Sequence, residues 1–329
     1  DGPNASSLKD TQGLYLPPRD FNTGAFRGGH TGRDLFTRIA IGLAGTPMVA
    51  FDNKVMTDRE RWSLVHFIQS FRRKDVEISD LLAPTDGLVH ATRVRGRLPV
   101  DPADPSWEGM DPTRIVLNPL WPEKDTIYAV AVRAVHDGKR LALLCTWKDP
   151  VADGAPVRVQ DFQDAVALQF SMSGNTPFLG MGDASNPVNI WQWKAGWQQE
   201  ADGHRQDMAE SYPSMHVDTY FRTSYRTAAD AGNEVAIPHR SPVEDANARG
   251  FGTLQSQPAS GQNVSGKGIW RDGSWSVIFL RDLKSKEADD VKLAVGKPVP
   301  VAFAVWDGQN RDRNGRKVVS NWHKLILEP

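Results

Sequence analysis

From about Leu88 onward the apolar residues come in runs of strand length, among them Ala129–Val135, Leu141–Cys145 and Val299–Trp306. Turn dipeptides stand between such runs: Asp137-Gly138, Asp272-Gly273 and Asn314-Gly315. Asp, Asn and Gly tolerate the positive φ that tight hairpins demand, so the pattern predicts an antiparallel sandwich or barrel. No stretch approaches the roughly 18 apolar residues a membrane-spanning helix needs. The 39 basic and 40 acidic residues nearly cancel, which leaves no broad field for nucleic acid or an anionic membrane. The single cysteine, Cys145, lies inside Leu141-Ala-Leu-Leu-Cys-Thr-Trp147. It reads as a buried strand thiol, and its solitude excludes an internal disulfide and cysteine-rich zinc or iron–sulfur sites.

The front of the chain has a different texture. Leu35, Phe36, Ile39 and Ala40 recur at helical spacing. After a break at Gly42–Pro47, Thr57-Asp-Arg-Glu60 forms a capping box ahead of Trp62, Val65, Phe67 and Ile68, which predicts a second helix. With 329 residues there is room for two domains. The division read from the sequence is a helical module over residues 1–75, a linker over 76–100 centred on the charged, Pro-containing run Arg72–Pro84, and a β-sandwich over 101–329. The expected fold class is therefore mainly β, an antiparallel sandwich preceded by a small α-helical module.

Two motifs carry the sharpest chemical signal: Phe178-Leu-Gly-Met-Gly-Asp-Ala-Ser-Asn-Pro-Val-Asn-Ile-Trp-Gln-Trp-Lys194, and Val305-Trp-Asp-Gly-Gln-Asn-Arg-Asp-Arg-Asn-Gly-Arg-Lys317. Asp104-Pro-Ser-Trp107, the run Asp137–Asp149 and Phe162–Phe170 stand in a fixed order with them. Together they resemble the b-haem-binding subunit of ethylbenzene dehydrogenase and its relatives, the gamma subunits of periplasmic molybdenum enzymes, over roughly Asp101 to Glu328. In that family a Met and a Lys hold the iron from opposite faces, and the matching residues here are Met181 and Lys317. A b-haem needs an apolar slot, expected here between two sheets, and a polar rim for its propionates. Gly180 and Gly182 beside Met181 suit close approach to a flat macrocycle. Lys317 follows the Asn314-Gly315 turn, and burial against haem would lower its pKa enough for a neutral amine to bind iron. Met172, Met215, His216 and Lys324 are reserve ligands. Trp191 and Trp193, at period two on one strand, either line the slot or are packed core aromatics.

The helical module is similar to the C-terminal part of class I c-type cytochromes, through Leu16–Phe21, Asp34–Met48 and Arg61–Ser70. In those proteins the loop methionine, here Met48, is the sixth haem ligand. Their Cys-x-x-Cys-His attachment motif is not in this chain, so a haem c is expected only if the natural protein extends upstream of Asp1; otherwise Met48 is a core methionine of a small helical module. His30 is a further conceivable ligand, though a histidine in a Gly-rich loop is more often solvated.

Other chemistry is poorly represented. Gly-x-Ser-x-Gly, His-Glu-x-x-His and phosphate-binding Gly-rich loops are missing from the chain. Asn310-Arg-Asp-Arg-Asn-Gly315 mimics half a calcium loop, but Asn321 stands where a bidentate Glu belongs, and a tight hairpin turn is the better account. The resemblance implies a non-catalytic electron-transfer subunit, carrying haem b, in the periplasm. Its implied partners are an iron–sulfur subunit, a molybdopterin catalytic subunit and an external redox partner such as a soluble cytochrome. The 11 tryptophans support a rival, a carbohydrate-binding sandwich whose exposed indoles stack on sugar rings.

Overall fold

The computed structural model describes residues 8, 21, 26, 31–43, 47–71, 87–120, 126–155, 157–177, 180–206, 208–214 and 239–329. Helices α1 (Gly32–Ile41) and α2 (Asp58–Ser70) each open on a capping box. Thr31 Oγ1 accepts from the Asp34 N–H at 3.2 Å while Asp34 returns a carboxylate to the Thr31 N–H at 3.0 Å. Thr57 and Glu60 repeat the arrangement, as their spacing predicts. Leu35 and Ile39 of α1, Val65 and Ile68 of α2, and Phe26 form a small apolar core. Half-buried Met48 packs against it beside Phe36, Phe51 and Leu64.

The remainder is β-structure. Strands β1 (Leu88–Arg93), β2 (Thr113–Val116), β3 (Asn118–Pro119), β4 (Ala129–His136) and β5 (Arg140–Lys148) come first. They are followed by β6 (Ala165–Ser171), β7 (Val188–Lys194), β8 (Val243–Ala248), β9 (Gln255–Ser256) and β10 (Ser265–Arg271). The chain closes with β11 (Ser274–Asp282), β12 (Val299–Trp306), β13 (Val318–Val319) and β14 (His323–Leu327). These strands hydrogen-bond in the order β10-β11-β5-β4-β1-β14-β12-β6-β7-β8-β9. The ribbon folds over itself, so that residues of β4, β5 and β11 share one core with those of β6, β7 and β12. Trp191, Trp193, Phe170, Phe279 and Phe303 are the largest fully buried side chains at its centre. The Asp272-Gly273 turn takes the expected left-handed form, with φ of 50° and 71°, and joins β10 to β11 in register. Burial pushes the Cys145 thiol far up, as befits an unreactive strand residue.

Two expectations need correction. Pairing is antiparallel except at β1, which runs parallel to both β4 and β14. The linker was drawn too long: Leu88–Arg93 is that same β1, inserted between β4 and β14, with Val89 and Ala91 buried. Alternating Val89 and Ala91 form a strand signal hidden by the neighbouring polar residues. Positions 72–86 lie outside the described residues.

Closure of the two layers depends on β10. A Cβ built at Gly268 would fall 2.2 Å from the Trp193 ring, and one at Gly266 would fall 2.5 Å from Val243 and from the Ile278 carbonyl. The indole cannot retreat, because its N–H donates to Gln198 Oε1 at 3.1 Å, the oxygen that also accepts from the Gly268 N–H at 2.7 Å. Gly268→Ala is therefore expected to lower unfolding free energy by about 1–3 kcal/mol, the usual range for overpacking. Gly109→Ala, which meets nothing within 4 Å, should stay within about 0.5 kcal/mol of the parent. Urea denaturation of both variants checks this, and equal midpoints would show that β10 does not set the layer spacing.

Candidate haem-binding face

Successive strand residues point to opposite faces, and the registers of β12, β6, β7 and β8 therefore sort their side chains into two sets. Inward go Phe303 and Val305, Val166, Leu168 and Phe170, and Trp191 and Trp193. Outward go Ala302 and Ala304, Ala165 and Ala167, Ile190, and Ala246 and Ala248. Ala304 sits opposite Ala167, and Ile190 opposite Ala246. The outward set is thus rich in alanine over four strands, with Gln169, Gln192, Lys194 and Glu244 on the same side, and Ala165, Ala167, Ile190, Ala246 and Ala248 are buried. Trp306, at the end of β12, and Trp322 flank it.

Met181 and Lys317 both reach this face. Met181 is held in a turn before β7, with its N–H donating to Gln169 Oε1 at 2.9 Å and its carbonyl accepting from the Gly250 N–H at 2.8 Å. Its φ of 67° is left-handed, an uncommon state for a non-glycine residue and one that concentrates at functional sites. Gly182 is required for a local reason, since a Cβ there would lie 2.6 Å from the Asn186 carbonyl; Gly180 meets nothing within 4 Å. The Met181 side chain packs on the cluster of Ala165, Ala167, Val188, Ile190, Ala248 and Trp306.

Lys317 arrives from the other side. Its carbonyl accepts from the Leu120 N–H at 3.1 Å, and the next residue, Val318, is buried in the main core. Alternation then sends Lys317 outward. Its Nζ lies 4.6 Å from the centre of the Trp306 ring. Part of the residue stays exposed, but the ammonium end rests on the indole and, among the described residues, meets no carboxylate. Burial lowers its pKa to about 8.

These features fit a haem. An apolar cluster suits a macrocycle, a thioether is a soft ligand for iron, and an amine with a depressed pKa can surrender its proton to become a donor. The structure places the other expected residues elsewhere. Trp191 and Trp193 lie on the inner face of β7, where Trp191 packs on Phe170 with ring centres 4.4 Å apart and Trp193 meets Trp275 at 4.8 Å. They are core aromatics and do not share the face of Met181 and Lys317. The cluster that Met181 joins lies on the opposite side of β6, β7 and β12, and its members Ala165, Ala167, Ile190 and Ala248 are buried. Met48 belongs to the separate helical cluster. Lys324 is exposed on β14, and Met172 accepts from Asn247 Nδ2 at 3.6 Å. His30, Met215 and His216 lie outside the described residues. Sequence reasoning missed the alanine face and Trp306; outward alanines at period two on Ala165–Ala167 and Ala302–Ala304 were the available signal.

A family model described as Ethylbenzene dehydrogenase matches residues 104–318. Chlorate reductase subunit gamma of Ideonella dechloratans is 24% identical over 246 residues, covering 72% of this chain and 84% of its own length. Dimethylsulfide dehydrogenase subunit gamma of Rhodovulum sulfidophilum is 29% identical over 249 residues, covering 71% and 77%. The provisionally named respiratory nitrate reductase heme subunit ORF7 of Haloferax mediterranei is 26% identical over 205 residues. That match covers 62% of this chain but only 58% of the haloarchaeal relative.

A lysine whose pKa is depressed on folding binds fewer protons folded than unfolded between the two pKa values. Stability then rises with pH across that window. Burial of the Lys317 ammonium therefore costs most below about pH 8 and is relieved as pH climbs toward the model-compound value of 10.5. In the haem-free chain, Lys317→Met should raise the urea midpoint at pH 7, and the gap from the parent should close by about pH 10. A gap that is constant with pH would mean that Lys317 is solvated.

Proposed function

Since the chain belongs to the ethylbenzene dehydrogenase family, we propose that it is the haem-carrying gamma subunit of a molybdopterin oxidoreductase and passes electrons without acting on substrate itself. Met181 and Lys317 are the residues proposed to hold the iron of a b-type haem beside the apolar cluster around Trp306. The reading is carried by one observation: two residues 136 positions apart, of types able to ligate iron, reach a single apolar cluster around Trp306. A bound haem would supply a one-electron couple, with a potential tuned by its axial ligands and by burial.

The protein's own part is to hold and insulate. The left-handed turn fixes Met181, the short β13 ladder fixes Lys317, and the apolar cluster excludes water beneath. For Lys317 the proton is the controlling element, because only the neutral amine has a lone pair to donate. Its proposed partners are an iron–sulfur subunit and a molybdopterin catalytic subunit, with a soluble cytochrome as external partner, and its proposed setting is the periplasm. No helix among the described residues is long and apolar enough to cross a membrane. A sugar-binding role draws no support from the indoles of Trp107, Trp147, Trp191, Trp193, Trp275 and Trp306, all of them buried.

Met181→Ala keeps the fold, since the side chain is only partly buried, but removes one iron bond. Haem retention after gel filtration should fall at least about tenfold, read by the pyridine haemochrome assay. Lys317→Arg keeps the charge but cannot deprotonate, and should remove the low-spin signature of a six-coordinate haem. Unchanged spectra in both variants would reject this pair as ligands.

A further inference from the structure

Away from the alanine face, three buried carboxylates converge where the ends of three strands meet. Asp149 follows β5, Asp164 precedes β6 and Asp307 follows β12, and one oxygen from each lies within 4.8 Å of the others. Asp153 stands beside them, its amide donating to Asp164 Oδ2 at 2.7 Å. Among the described residues no lysine, arginine or histidine forms an ion pair with any of the four. Each has its pKa raised, chiefly by burial, with Asp149 at about 6 and Asp164 at about 7.

Crowding alone would not make a site, but the hydrogen bonds divide these groups unequally. Asp164 is satisfied, accepting also from the Gly308 N–H at 2.9 Å and Trp275 Nε1 at 2.9 Å. Asp307 accepts from the Gln309 N–H at 2.9 Å, the Asn310 N–H at 3.2 Å and Asn310 Nδ2 at 3.1 Å. Asp149 is different. It is 1% exposed, its Oδ1 accepts from the Val151 N–H at 3.1 Å, and its Oδ2 is buried with no hydrogen-bond partner. The Trp147 indole N–H, the donor nearest in effect, makes no bond of normal geometry and is itself without a partner. Asp153 Oδ2 is a second buried oxygen left unmade. A buried carboxylate oxygen with neither donor nor cation is costly, and Asp149 brings one to this group.

We propose that Asp149, Asp164 and Asp307, with Asp153 in support, bind a hard divalent cation of the calcium class that ties the ends of β5, β6 and β12 together. The donor set is all oxygen, which disfavours soft metals. The observed spacing also suits a shared ion, since oxygens at about 2.3–2.6 Å from one Ca²⁺ lie at most about 5 Å apart. The calcium-like motif at Asn310–Gly315 pointed to the right neighbourhood through the wrong residues. Asn314 and Gly315 form a tight turn there, closed by the Arg313–Arg316 bridge, and the proposed ligand is Asp307, upstream of the motif.

The test uses the full chain, freed of metal with EGTA and titrated with Tb³⁺, Ca²⁺ or Mg²⁺. Trp275 donates to Asp164, so Tb³⁺ at this site should luminesce on tryptophan excitation, and Ca²⁺ should displace it. Asp149→Asn should weaken Ca²⁺ binding at least about tenfold by calorimetry. Trp275→Phe should lose most sensitised emission while keeping Ca²⁺ uptake, which separates the site from surface binding. Ca²⁺ should also raise the melting temperature of the parent chain, a measurement that survives if Asp149→Asn fails to fold. Absence of both Ca²⁺ uptake and a thermal shift at millimolar Ca²⁺ in the parent chain overturns the proposal, as does full affinity in folded Asp149→Asn. Neither outcome depends on haem.

Discussion

Strand alternation across β12, β6 and β7 is the constraint on which the rest of the structure rests. One set of side chains is as large as the fold can hold, with Phe303, Phe170, Trp191 and Trp193 filling the core. The other set is rich in alanine: Ala304 stands opposite Ala167, Ala302 opposite Gln169 and Ala165 opposite Trp306. Large residues inward join the two layers; small residues outward gather the apolar cluster of Ala165, Ala167, Val188, Ile190, Ala248 and Trp306 on which Met181 packs. A one-residue slip in any of these strands would exchange the two sets and lose both the core and the cluster. The fold and the candidate site are therefore two consequences of one pattern.

A second buried acid in the core shows what a nearby cation changes. Asp245 is fully buried and its pKa is raised to about 7, mainly by burial. Its Oδ1 nevertheless accepts from Asn189 Nδ2 at 2.6 Å and Gln257 Nε2 at 3.2 Å, and Arg281 acts on it as a nearby positive charge. The Trp191 indole donates to Asn189 Oδ1 at 3.1 Å, and the Arg281 guanidinium lies 5.2 Å from the same ring. That network supplies both donors and a positive charge to a buried acid. Asp245 Oδ2, like Asp149 Oδ2, is buried without a hydrogen-bond partner, so the two groups differ in charge: Arg281 faces Asp245, whereas among the described residues no cation pairs with the group around Asp149.

Much of this was legible in the residues. Hairpin turns at Asp137-Gly138 and Asp272-Gly273 announce φ values that few residues accept, and the capping boxes announce helix starts by hydrogen-bond geometry; both are local. Met181 and Lys317 were legible through motif context alone, because a methionine or a lysine has no periodicity to betray it. What could not be read was which face of β7 the pair Trp191 and Trp193 takes. Period two says that they share a side, but the side is chosen by β6 and β8 and by Gly268 on β10, all distant in sequence. Strand texture begins at Leu88, where β1 starts, but its place between β4 and β14 is determined by its partners more than by its own composition.

The end of β12 joins the two sites. Trp306 turns outward and supports both Met181 and the Lys317 ammonium, while the next residue, Asp307, turns toward Asp149 and Asp164. The loop from Asp307 to Lys317 is closed by short contacts: Asp312 accepts from the Asp307 N–H at 3.1 Å, and Trp306 Nε1 donates to the Asn314 carbonyl at 3.1 Å. Anything that holds Asp307 therefore narrows the positions open to Trp306 on one side and to Lys317 ten residues on. The loop that presents the proposed ligand Lys317 is held partly by its own side chains: Arg313 Nη2 donates to the Val159 and Asp161 carbonyls at 3.1 and 2.7 Å, and its guanidinium lies 4.3 Å from the centre of the Phe162 ring. Its other tie is the Asp307 end, which belongs to the carboxylate group.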